Sequence, residues 1–191
     1  MKKTLLLLIC LLLTSYIAAD IKVDLGLAAG FGTSWYKDIE NSGLEFEAGV
    51  FLDMRLSKLF SIQTEFNFIQ VRHDGYITGN LITAEKATFT TNLIEIPILG
   101  KINIDNFNVY LGFALSVIIG KQKIEFASGS YILNDEDSYE PDIFSLIVGT
   151  GYAIHTSDYG KFVFDLRYKN SDTDLKIDSI SFRIGYALHI Y

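Results

Sequence analysis

Hydrophobic and polar residues alternate almost one for one along most of this chain. In Ile21-Lys22-Val23-Asp24-Leu25-Gly26-Leu27-Ala28-Ala29-Gly30-Phe31 the odd positions are apolar and the even ones charged or small, the period-two signature of a strand with two unlike faces. Seven later segments repeat the rhythm. Residues 43–55 set Leu44, Phe46, Ala48, Val50, Leu52 and Met54 against Glu45, Glu47, Asp53 and Arg55, and residues 60–71 set Phe60, Ile62, Phe66 and Phe68 against Ser61, Gln63, Glu65 and Asn67. In 89–102 the apolar face is Ile94, Ile96, Ile98 and Ile102, opposed by Glu95 and Lys101, with Asn92 as an exception on the apolar face. Segments 108–120 and 143–155 oppose large apolar residues with Tyr110, Gly112, Ala114 and Ser116, then with Ser145, Gly149, Gly151 and Ala153. The last two, 161–169 and 178–191, carry Asp165, Arg167 and Lys169, then Ser181, Arg183 and His189, on their polar faces.

The gaps alternate as well. Those after the odd-numbered segments (32–42, 72–88, 121–142, 170–177) are long and polar, and those after the even-numbered ones (56–59, 103–107, 156–160) are short. Short turns at one end and long loops at the other are the asymmetry of an antiparallel up-and-down transmembrane barrel. The pattern therefore predicts an all-β fold of about eight strands, with the last segment pairing with the first because lipid leaves no partner for an open sheet edge.

Alternation alone does not say which face points outward; a secreted soluble barrel with an apolar ligand cavity would show it too. The polar faces decide between them. Gly26, Ala28, Gly30, Gly112, Ala114, Gly149 and Gly151 would make poor water-exposed strands. Pointing inward, they leave room for long charged side chains, as filling a narrow barrel requires. The expected arrangement is apolar outside and polar inside, with Trp35, Tyr36, Phe107 and Tyr110 as candidates for the membrane interfaces.

Composition sharpens this picture. Lys2 and Lys3 precede an apolar run from Leu5 to Leu13 that ends in Tyr16-Ile17-Ala18-Ala19. This is the layout of a cleavable signal peptide over residues 1–19, leaving 20–191 as a single barrel domain. Cys10, the only cysteine, would leave with it. The formal net charge of −7 makes a nucleic-acid partner improbable, since phosphate binding needs a basic patch. The expected partners are outer-membrane lipid and some extracellular molecule met by the long loops; the expected location is the bacterial outer membrane, and a monomer is expected.

The run Leu93-Ile94-Glu95-Ile96-Pro97-Ile98-Leu99-Gly100-Lys101 resembles the PorT-like outer-membrane β-barrel domain family, whose middle strand commonly carries Leu-x-x-x-Pro-x-Leu-x-Lys. The C-terminal Phe182–Tyr191 segment, ending on an aromatic, is similar to the strands that the barrel-assembly machinery recognises. The resemblance implies a barrel and no particular reaction, cofactor or ligand.

Candidate chemistry gathers on the inward set: Glu45, Glu47, Asp53, Arg55, Glu65, Glu95, Lys101, Asp165, Arg167, Lys169 and Arg183. A salt-bridged plug is the expected reading, because a narrow lumen has room for little beyond its own side chains and buried charges persist only when paired. A narrow passive channel is the alternative. His73 should lie at the opposite rim from His155, so His73, His155 and His189 cannot form one metal site. There is no G-x-S-x-G motif, and no catalytic, metal or cofactor-binding residue is expected. The acidic run Asn134, Asp135, Glu136, Asp137, Glu140 and Asp142 lacks the ligand order of a calcium loop and reads as a solvated loop.

Overall fold

A computed structural model of the chain describes residues 21–36, 42–78, 84–119, 123–126, 129–132, 143–157, 159–171 and 177–190. They form ten strands: β1 (Lys22–Tyr36), β2 (Ser42–Arg55), β3 (Phe60–Thr78), β4 (Ala84–Ile104), β5 (Phe107–Ile118), β6 (Lys123–Phe126), β7 (Gly129–Ile132), β8 (Ile143–Ser157), β9 (Gly160–Ser171) and β10 (Ile177–His189). The long strands pair antiparallel in the cycle β1-β2-β3-β4-β5-β8-β9-β10, and β10 returns to β1 through pairs such as Phe31↔Phe182. The result is a closed eight-stranded barrel with the neighbour order that the alternation predicts.

The register fixes the shape. Cross-strand partners followed from Phe31 through Phe46 and Gln70 reach Asn92 on β4. Followed the other way, through Phe182, Leu166, Thr150 and Val109, they reach Ile102. The two arrivals are ten residues apart on one strand. With about 3.3 Å per residue and about 4.8 Å between strands, that shear tilts the strands by about 40°. The outward run of β10 from Ile180 to Ile190 then covers about 25 Å along the barrel axis, the height of the apolar band of an outer-membrane barrel.

Apolar side chains cover the outside: Leu27 is 67% exposed, Leu111 65% and Phe31 61%. That overturns the soluble alternative, whose apolar face would line a cavity. The inward face is buried and mostly polar. Glycine serves close approach here. A Cβ on Gly30 would lie 2.5 Å from Cγ of Arg183, and one on Gly151 would lie 2.5 Å from Oδ1 of Asp165, so these glycines are the space the long side chains occupy.

Four expectations need correction. The gap 72–88 is not a loop at its flanks, because β3 and β4 stay paired as far as Thr78↔Ala84. The gap 121–142 contains β6 and β7, and β6 adds to the extended part of β4 through Ala87↔Phe126 to Thr90↔Lys123. Tyr110 turns into the lumen, 4% exposed, and so sits at no membrane interface. The lumen is also not purely polar, since Phe51, Ile69, Leu99 and Ile147 are buried on the inward parity. Residues 1–19, the acidic run 134–142 and Tyr191 lie outside the described residues.

The exception at Asn92 has a physical cause. The outward face of β3 runs Phe60, Ile62, Phe66, Phe68 and then Gln70 and Arg72, while that of β4 runs from Ile102 to Ile94 and then Asn92 and Thr90. Gln70 donates to Asn92 across the ladder at 3.0 Å, where the apolar band gives way to polar surface. Further round this rim, Trp35 packs on Tyr168 at 6.5 Å, and the Tyr168 hydroxyl donates to Asp178 at 3.0 Å. Phe107, 47% exposed, marks the other end.

Candidate functional site

The lumen is bridged by side chains from strands that are not neighbours. At its centre Glu65 of β3 accepts both guanidinium nitrogens of Arg167 on β9, at 3.1 and 3.0 Å, and Nη1 of Arg183 on β10 at 2.6 Å. Asn67 and Gln63 of the same strand donate to the two Glu65 oxygens at 2.8 and 2.5 Å. All five are placed by the alternation: odd residues of β3, β9 and β10 point inward. The Arg167 guanidinium also lies 5.6 Å from the centre of the Tyr110 ring, within the range of a cation–π contact.

Two further tiers flank the centre. Toward the extracellular end Lys169 reaches Glu95 at 3.1 Å and Glu45 at 3.4 Å, Ser181 donates to Glu47 at 3.0 Å, and Arg183 Nε lies 3.5 Å from Glu47. Toward the periplasmic end Lys101 donates to Asp53 at 3.1 Å and Gln63 at 2.7 Å, and Lys161 donates to Asp24 at 2.5 Å. Asp24 also bonds His189, whose ring stacks on His155 at 6.0 Å. His73 is at the other end, within 3.3 Å of the Ser34 hydroxyl. It lies beyond the apolar band, and burial holds its imidazole below the ordinary histidine range.

Of the residues named from sequence, Glu45, Glu47, Asp53, Glu65, Glu95, Lys101, Asp165, Arg167, Lys169 and Arg183 are buried inside the barrel, and Arg55 is only half-buried at its mouth. Sequence reasoning missed Asp24 and Lys161, a pair made across β10 between β1 and β9. Both sit on inward parity near the start of their strands, a signal that was present. The neutral partners Gln63 and Asn67 were legible as polar-face residues, but not as ligands of Glu65. Apolar groups fill the remainder: Leu99, Tyr110, Ala114 and Ile147 cluster in one place, and Ile69, Val71 and Leu93 in another. One void in the lumen, beside Glu45, Glu95 and Lys169, and one at the mouth, beside Asp105 and Asn106, are about 10 Å³ each, room for about one water. Among the described residues no three His, Cys, Asp or Glu side chains gather as a metal site.

A closed barrel sheathed in aliphatic and aromatic side chains, with its lumen crossed by ion pairs, is built for lipid. The family model for the outer membrane protein beta-barrel domain matches residues 16–175. The chain belongs to this family. Like the outer-membrane barrels it resembles, it resides in the bacterial outer membrane. Among solved structures it is similar to the Neisserial surface protein A, NspA, at 13% identity over 87% of this chain and 96% of that one, with a TM-score of 0.52. It is similar to OprG of Pseudomonas aeruginosa at 11% identity over 92% and 99% of the two chains, TM-score 0.51. It is also similar to Ail, the attachment invasion locus protein of Yersinia pestis, in complex with the heparin analogue sucrose octasulfate, at 13% identity over 90% and 100%, TM-score 0.50. At these identities the likeness is one of fold. No curated protein matches the sequence.

Proposed function

We propose that this protein is a non-enzymatic, monomeric outer-membrane scaffold that seals its own lumen and works through its extracellular end, by surface display or by binding a partner outside the cell. One observation carries the reading: the β3–β4 ladder continues well past the last lipid-facing residues, Phe68 and Ile94, and gains β6 and β7 there, while the lumen below is crossed by ion pairs. A sheet raised on a rigid base is a suitable platform for recognition.

The partner is expected to be cationic. The extracellular gap 121–142 holds Glu125, Asp135, Glu136, Asp137, Glu140 and Asp142 against Lys121 and Lys123, so a sulfated glycan of the kind seen with Ail would be repelled. In the same reading, residues 1–19 are removed as a signal peptide and the C-terminal strand is the segment presented to the barrel-assembly machinery. The Leu93–Lys101 run supports a place among the PorT-like members of the family.

The test compares cells making the full chain with cells in which residues 123–142, the hairpin and the acidic run after it, are replaced by a short Gly-Ser linker. Both are offered immobilised basic proteins and immobilised heparin. Retention on the basic surface that needs this segment, with none on heparin, is the expected result. Equal behaviour of the two chains on every surface, together with a steady ion conductance of the purified barrel, would favour a channel instead.

A further inference from the structure

The outward face of β3 carries a cation at the upper edge of the apolar band. Arg72 follows Phe68 and Gln70 on the outward parity and is exposed. In the register it stands between Leu44 of β2 and Thr90 of β4. One row below, Gln70 faces Asn92 and donates to its side-chain oxygen at 3.0 Å, a bond that does not use the Asn92 N–H groups. One row above, Asp74 accepts the Thr88 hydroxyl at 2.8 Å. Arg72, Thr90 and Asn92 therefore place a guanidinium, a hydroxyl and an amide side by side, just above the last lipid-facing residues, Phe68 and Ile94.

The wall beneath Arg72 is shaped as well. Ala29 of β1 and Ala48 of β2 are cross-strand partners on the outward face, and both are exposed. Phe31 and Phe46 pair in the row above them and Leu27 and Val50 in the row below, all exposed, so the two alanines form a notch in the lipid-facing surface. With the strands tilted by about 40°, a line dropped from Arg72 parallel to the barrel axis passes over Phe46 about 8 Å down and reaches Ala29 about 16 Å down. A guanidinium, an aromatic ring and a notch thus share one column along the membrane normal, with the charge uppermost.

We propose that this column binds one phosphate-bearing glycolipid of the outer leaflet. Its phosphate pairs with Arg72, whose planar fork of N–H donors matches phosphate oxygens. Its sugar hydroxyls meet Thr90 and Asn92, and one acyl chain lies over Phe46 and fills the notch at Ala29 and Ala48. The neutral hydrogen-bonding groups beside the guanidinium favour a sugar headgroup over that of an anionic glycerophospholipid, which would engage the charge alone. The site is continuous with the lipid-facing wall, and its occupant needs no partner outside the cell.

The experiment is native mass spectrometry of the full barrel purified in a nonionic detergent, titrated separately with phosphorylated lipid A, dephosphorylated lipid A and phosphatidylglycerol. The expected result is a single adduct of phosphorylated lipid A, with affinity lower by about tenfold in Arg72→Gln and lower also in Ala29→Leu. Lys58→Gln, at an exposed cation between β2 and β3, is expected to bind like the unaltered chain. Equal affinity of Arg72→Gln and the unaltered chain for phosphorylated lipid A would overturn the site. Equally tight binding of dephosphorylated lipid A would overturn the phosphate contact, and equally tight binding of phosphatidylglycerol would overturn the assignment to a glycolipid.

Discussion

Glu65 takes hydrogen bonds from two guanidinium groups and two side-chain amides, so its loss strands two cations in a dry lumen. Glu65→Ala is expected to cost about 3–5 kcal/mol, the usual penalty for removing one partner of a buried ion pair. The loss should appear as a fall in the temperature at which the folded gel band converts to the unfolded one. Replacing Glu65, Arg167 and Arg183 together by methionine, with Glu47→Gln and Asp165→Asn so that no carboxylate beside them is left unpaired, should restore most of it, since apolar groups of similar size replace buried ion pairs at little cost. A second single-residue prediction concerns the β4–β5 hairpin, whose Asp105 has φ 53°. In that left-handed region Asp105→Gly should be neutral or slightly stabilising, while Asp105→Val should cost about 1–2 kcal/mol in the same assay.

Individual strands report lipid depth. Leu111 lies in the middle of the outward run of β5 and is 65% exposed, whereas Asn92 lies where β4 leaves the apolar band. Leu111→Arg should cost about 2–4 kcal/mol and Asn92→Arg about 0–1 kcal/mol, measured by denaturant unfolding in vesicles. The same depth dependence explains what the sequence could disclose. Where one face meets lipid and the other a polar lumen, the two faces need opposite chemistry, and every barrel strand was legible from alternation between Ile21 and His189. Above the band the sequences 72–78 and 84–88 no longer alternate apolar with polar residues, and these paired stretches read as loop. Short β6 and β7 offered no period to count. Inside, parity placed Glu65, Arg167 and Arg183 on the inward face, but partner choice depends on the shear, which no single strand encodes. Pro97 is a further case: it is buried on inward parity, and the β3 ladder skips Glu65 and Phe66 opposite Ile96 and Pro97, consistent with a missing N–H donor. Motif comparison could notice the proline, but not that it faces the strand carrying the central carboxylate.

Taken whole, the molecule inverts the arrangement of a soluble barrel: its apolar residues form the wall that meets lipid, and its charges form the core. The ten-residue shear sets the tilt, the tilt sets the height of the apolar band, and closure removes every edge within the membrane. The charges then tie together strands that the ladder does not join, β3 to β9 and β10 through Glu65, and β9 to β2 and β4 through Lys169. In the proposed reading, rigidity and a sealed lumen follow from the same contacts. The most direct test is single-channel recording of the purified full barrel in planar bilayers. A silent membrane, after insertion has been verified by the heat-dependent mobility shift, is the predicted result. A steady conductance that changes when Arg183 is neutralised would contradict it, because it would mean that ions pass where Glu65 and its two arginines close the barrel.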